Sequence, residues 1–150
     1  MSEFPNDFAG SNHAIPQGMT LVHHELTEQI IGIYYNVYAE LGHGFLEKVC
    51  QQAMVIALRE AGLPVRERVL FPVTFRGQSI GDFISDVVVN DLVLVEIKAT
   101  SALHPWDEAQ ALNYLRASDL EVALIMNFGP KREFWRRILT NDRKVPHRPV

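Results

Sequence analysis

One cysteine, Cys50, is all the thiol chemistry in these 150 residues. An internal disulfide and a cysteine zinc site are therefore excluded, and a secreted scaffold held by disulfides is not expected. Long apolar runs are missing too. None approaches the roughly 20 residues that a membrane helix needs, and the N-terminus shows no charged-then-apolar leader. A cytoplasmic protein with no membrane partner is the expectation. Positive charge is scarce: 14 Lys and Arg stand against 18 Asp and Glu, a net charge of −4, which is a weak composition for a polyanion binder. The scarcity is uneven, however. The last twenty residues hold seven basic side chains (Lys131, Arg132, Arg136, Arg137, Arg143, Lys144, Arg148) and two acidic ones, Glu133 and Asp142. That is +5 there and −9 elsewhere. Such asymmetry fits a phosphate-binding edge, and it also fits a solvated terminal tail.

What is present is ordinary for one globular domain: 47% apolar and 21% charged residues in a chain long enough for one core. Residues 1–20, rich in Pro, Gly, Asn and Ser, read as a mobile arm. Residues 21–140 read as the folded domain, and 141–150 as a basic C-terminal tail. Leu26, Ile30, Ile33, Tyr34, Val37 and Leu41 recur at helical spacing until Gly42-His43-Gly44 breaks the pattern. A second helix is expected from Leu46 to Ala61, closed by Gly62 and Pro64. Beyond Pro64 the period shortens. Val65–Arg76, Ser79–Val89 and Leu92–Ala99 predict three consecutive antiparallel strands with turns at Gly77-Gln78 and Asn90-Asp91. A helix starting near Pro105 follows, then a strand at Val122–Phe128 and an edge strand at Phe134–Leu139. The order predicts an α/β fold, a mixed sheet with helices on its faces.

Two of the apolar strands carry charges that do not belong there. Asp86 interrupts "FISDVVV", and Glu96 and Lys98 interrupt "VLVEIKA". Glu96 and Lys98, two apart, share a face of the sheet. Isolated charges are costly to bury, so this set must be paired, metal-bound or open to a cleft. If the hairpin at Asn90-Asp91 had a two-residue turn, Asp86 and Glu96 would fall on opposite faces. A three-residue turn or a bulge would place them directly opposite each other, roughly 5 Å apart at Cβ. Two carboxylates so placed repel unless a cation lies between them, so this register and a divalent metal are predicted together. An all-oxygen donor set suits Mg²⁺ or Mn²⁺. Alone, the pair also fits an ion pair at a wet sheet edge. Glu47, in the first turn of the second helix, fits either a third acidic ligand or a helix-dipole carboxylate. Gln110 and Tyr114, an i, i+4 pair, fit either phosphate or water positioning or a core tyrosine with its hydroxyl at the rim.

The ordered set resembles the PD-(D/E)XK nuclease superfamily. Its core is α-β-β-β-α-β, a restriction-endonuclease-like arrangement, here with an extra N-terminal helix. It carries an Asp on the second strand, a (D/E)-x-Lys on the third and often a Glu on the first helix. Those roles would fall on Asp86, on Glu96-Ile97-Lys98 and on Glu47. Gln110 and Tyr114 match the Gln-xxx-Tyr motif of its RecB-like exonuclease branch. More narrowly, "LGHGFLEKVCQQA" and "DVVVNDLVLVEIKA" resemble the small bacterial proteins named for a GxxExxY motif, with Cys50 in place of the motif Tyr. The resemblance implies a nuclease using Mg²⁺ (or Mn²⁺), with Asp86, Glu96 and Glu47 as metal ligands. Lys98, Gln110 and Tyr114 would be catalytic with them, and Lys131, Arg132, Arg136 and Arg137 would hold the DNA backbone. DNA would be bound without sequence preference, since no base-reading helix is visible, by a domain small enough to work as a homodimer or beside a partner protein. The rival expectation is an inactive module of the same fold, used for nucleic-acid binding or protein assembly.

Overall fold

The computed structural model describes residues 22–144. The mobile arm expected at residues 1–20 and the final residues 145–150 lie outside the described residues. Helices α1 (His24–Leu41) and α2 (Glu47–Glu60) come first, followed by strands β1 (Val65–Glu67), β2 (Leu70–Phe75), β3 (Gln78–Ile84), β4 (Val87–Val89) and β5 (Val93–Lys98). Helix α3 (Pro105–Arg116), strands β6 (Val122–Phe128) and β7 (Arg132–Ile138), and a 3₁₀ turn at Asn141–Arg143 complete it. This is the mixed α/β fold expected. No described helix is long and apolar enough to cross a membrane.

The main sheet has the order β1-β4-β5-β6-β7, with β5 and β6 parallel and every other pair antiparallel. Strand alternation divides the core in two. Val93, Val95 and Ile97 of β5 face Ile30, Tyr34 and Met54 of α1 and α2. Leu94 faces Ala111 and Leu115 of α3. The side on which Leu94, Glu96 and Lys98 point is therefore the α3 side.

The helix ends are local chemistry. Gly42, at φ 72°, ends α1, its N–H donating to the Tyr38 carbonyl at 2.8 Å. Gly62, at φ 80°, closes α2 as Leu63 N–H reaches back to the Leu58 carbonyl, a Schellman arrangement. Helix α3 opens on a capping box: the His104 side chain accepts from Trp106 N–H, and the Asp107 carboxylate accepts from His104 N–H at 2.9 Å. Pro105 stands at its first position.

The strand prediction needs one correction. Val65–Arg76 and Ser79–Val89 are not single strands. They form one long hairpin, broken at the same level on both arms, so that β1 and β4 join the main sheet while β2 and β3 form a separate two-stranded sheet. Arg68 at φ 53° turns the chain at the break, where Arg68 N–H donates to the Asp86 carbonyl at 3.0 Å and Ser85 N–H to Val69 at 2.9 Å. The hairpin tip is Arg76-Gly77, one residue earlier than expected. Both residues have positive φ, as a turn matched to strand twist requires.

Candidate active site

Asp86 lies in the break between β3 and β4, and Glu96 lies in the buried middle of β5. Val87 pairs with Val95, Val88 with Leu94 and Val89 with Val93. That is the three-residue-loop register, with Asn90 and Asp91 both left-handed and Leu92 as the third loop residue. Asp86 and Glu96 occupy the next rung on the α3 side. There the main-chain ladder gives way to side chains: the Asp86 carboxylate accepts from Ile97 N–H at 3.1 Å, and the Glu96 carboxylate accepts from Asp86 N–H at 3.4 Å. The kink in the hairpin frees Asp86 from strand pairing and lets it turn toward β5.

Glu96 is only 3% exposed. Burial holds its pKa well above the usual carboxylate range, and the adjacent Asp86 charge pushes it in the same direction. Lys98, one rung on, lies 3.8 Å from Asp107 and 3.4 Å from the Gln110 carbonyl oxygen, to which its ammonium donates. The Gln110 amide in turn donates to the Tyr114 hydroxyl at 3.4 Å, and that hydroxyl donates to the Ile84 carbonyl at 2.8 Å. Tyr114 is buried against Phe71 and Phe83, so it ties α3 to the broken hairpin just ahead of Asp86. Burial, then the charge of Glu96, raises its pKa and keeps the hydroxyl a donor.

Glu47 is the first residue of α2. Its pKa is raised by partial burial, lowered by Lys98, and raised again by Asp86 and Asp107. Among the described residues, though, no three His, Cys, Asp or Glu side chains converge tightly enough to hold an ion by themselves. Asp86 and Glu96 form a pair; Glu47 stands within electrostatic reach of it. One turn on, Cys50 is fully buried and burial raises its pKa, so it is a packing residue and not a reactive thiol.

The basic segment is not assembled as expected. Alternation along β7 sends Arg132, Phe134 and Arg136 to one face and Glu133, Trp135 and Arg137 to the other. Arg136 is buried and donates to the Val22 carbonyl and to Thr27 Oγ1, so it anchors the start of α1 and cannot meet a DNA backbone. Arg132 lies over the Tyr35 ring, and Arg137 pairs with Glu108 at 3.3 Å. Lys131 is exposed. Of the segment read as a tail, residues 141–144 lie against the fold, where Lys144 donates to the Ser118 and Leu120 carbonyls.

Two features escaped the sequence reading. Asp107 joins Lys98 from the α3 capping box; its spacing of three from Gln110 was the available signal. Lys48 and Arg68 flank a cleft of about 270 Å³ that ends on Ser85 and Asp86, with Gln51 and Gln52 along its wall. Neither cation has a side-chain hydrogen bond or ion pair among the described residues. They are unpaired cations, among the described residues, in the cleft that ends on Asp86, and only the fold brings Arg68 into one cleft with α2.

The donor set fits a hard divalent cation. Two carboxylate-bearing residues meet across a strand pair, where burial and the neighbouring Asp86 charge raise the pKa of Glu96, and oxygen donors of this kind suit such an ion. The family model described as the PD-(D/E)XK nuclease superfamily matches residues 24–138, most of the chain. Comparisons with curated proteins and with solved structures gave no match.

Proposed function

The chain belongs to the PD-(D/E)XK nuclease superfamily, and on that premise we propose that it is a metal-dependent nuclease hydrolysing phosphodiester bonds of DNA. The nuclease unit is residues 21–140, and the segments around Glu47 and from Asp86 to Ala99 support a place beside the GxxExxY proteins, although Cys50 stands where that motif has Tyr. The observation that carries the reading is the β4–β5 register, which sets Asp86 against Glu96 with Lys98 one rung further on.

Asp86 and Glu96 would hold Mg²⁺ or Mn²⁺, with Glu47 assisting through water. Such a cation, when bound, neutralises phosphate charge and acidifies a water. The chain's own residues do the rest. Lys98 orients the attacking water and balances the charge that develops on the phosphoryl oxygens. Gln110 and Asp107 fix the Lys98 ammonium, and Tyr114 fixes Gln110 in turn. Water forms the new P–O bond and releases a proton to solvent, the bond to the leaving oxygen breaks, and that oxygen takes a proton from solvent. Lys48 and Arg68 stand where the strand backbone would meet the cleft.

The test is incubation of linear and circular DNA, and of RNA, with Mg²⁺, Mn²⁺ or EDTA. Wild type should cut DNA with metal only, and Lys98→Ala should be slower by about 100- to 1000-fold. Equal cleavage by both proteins would identify a contaminant. Binding without cleavage under every condition would replace the proposal with an inactive nucleic-acid-binding module.

A further inference from the structure

Trp106 is 77% exposed. Among the described residues it stacks on no ring and pairs with no cation. The fold gains little from an indole left in water, so this is a large apolar surface without a structural task. Its position is informative. Trp106 is the second residue of α3 and lies one turn before Gln110 on the same side of the helix, and Gln110 accepts from Lys98. The next residue, Asp107, lies 3.8 Å from the same ammonium. The indole therefore stands on the rim of the candidate active site.

A second helix start also carries exposed apolar residues: Phe45 and Leu46, 49% and 78% exposed, immediately precede Glu47. Phe45 lines a cavity with Ala99 and Thr100, just beyond Lys98, while Lys48 and Arg68 supply unpaired positive charge in the cleft that ends on Asp86. Aromatic groups beside cations are the chemistry that binds an unpaired strand: bases stack on the rings and phosphates follow the charge. In a duplex the base faces are already stacked on one another, so a protruding indole reaches one only where the strand is single.

We propose that the preferred substrate is single-stranded DNA, or the unpaired end of a duplex, with a base beside the scissile phosphate stacked on Trp106. The inference rests on the nuclease reading above, and its test is separable from it. In a Trp135→Phe background Trp106 is the sole tryptophan, and its fluorescence reports stacking. That protein is titrated with oligothymidylate and with a blunt duplex closed by hairpin loops, in Ca²⁺. Oligothymidylate should quench the signal saturably, and the duplex should not. Read by the anisotropy of a labelled oligothymidylate, Trp106→Ala should weaken binding about 10-fold and Trp106→Phe should keep most of the affinity, and neither should shift the melting temperature. Unchanged affinity of Trp106→Ala, or equal quenching by the closed duplex, overturns the proposal. Mg²⁺-dependent cleavage judges the nuclease reading separately: cleavage with unchanged Trp106→Ala affinity removes the stacking site alone. Quenching without any cleavage removes the nuclease and leaves the strand-binding surface standing.

Discussion

Glu96 concentrates the chemistry of the site in one ionisation. Its carboxyl is raised first by burial and then by the Asp86 charge, and the sign of the consequence follows. A carboxyl whose folded pKa lies above its unfolded value of about 4.3 favours the fold while protonated, and that contribution is lost as pH rises through the folded value. In EDTA, the wild-type melting temperature should therefore fall behind that of Glu96→Gln by a few degrees, the gap opening above about pH 4.3. Mg²⁺ or Mn²⁺ should close the gap for wild type and leave Glu96→Gln unmoved, because the cation competes with the proton for one carboxylate. Melting curves across pH, with and without metal, decide it; a metal response retained by Glu96→Gln would take the ion off this residue. That Asp86 would face Glu96, with Lys98 on the same side, could be expected from the sequence, because a period of two assigns each strand residue to a face and the carboxylate pair argued for the three-residue turn over the two-residue one. Asp107 was passed over despite its spacing from Gln110, since a carboxylate in the first turn of a helix has a sufficient local role as a cap.

At the scale of elements, the site depends on how β5 ends. Beyond Lys98 the chain is held by Asn127, whose side-chain amide bonds both the N–H and the carbonyl of Thr100 at 2.9 and 3.0 Å. Gly129 lies so close beneath this loop that an added Cβ would fall 2.3 Å from the Thr100 carbonyl oxygen and 2.7 Å from the Asn127 amide. Gly129→Ala should therefore displace backbone, destabilising by about 1–3 kcal/mol, and slow cleavage more than its loss of folded protein accounts for, since the shift moves the exit from Lys98. Thermal melting beside a rate normalised to folded protein checks both; an unchanged rate would separate the loop from the chemistry. The helix boundaries could be read from cap residues, and the β4–β5 register from the charges it would bring together. The break at Arg68 could not, because apolar residues alternate on both sides of it and arginine has no local preference for a left-handed conformation. Tertiary packing imposes that kink, and with it the placement of Asp86.

Across the whole molecule, charge sits elsewhere than its count along the chain implies. The C-terminal third holds many basic residues, but β7 distributes them over two faces and commits Arg136 to Thr27 and Val22. Lys48 and Arg68, far apart in sequence, both line the cleft that ends on Asp86. Two kinds of arginine therefore answer two kinds of experiment. Each phosphate-contacting cation adds about one to the slope of log affinity against log salt concentration, so Lys48→Ala with Arg68→Ala should flatten that slope by about two and weaken all DNA sequences alike. Arg136→Ala should leave the slope alone. It should instead lower stability by about 1–3 kcal/mol, because a part-buried carbonyl and a buried hydroxyl lose their donor. Binding isotherms over a salt series, beside melting curves, distinguish the two. A slope that responds to Arg136→Ala and not to the Lys48/Arg68 pair would move the DNA path from the α2 cleft to the β7 edge.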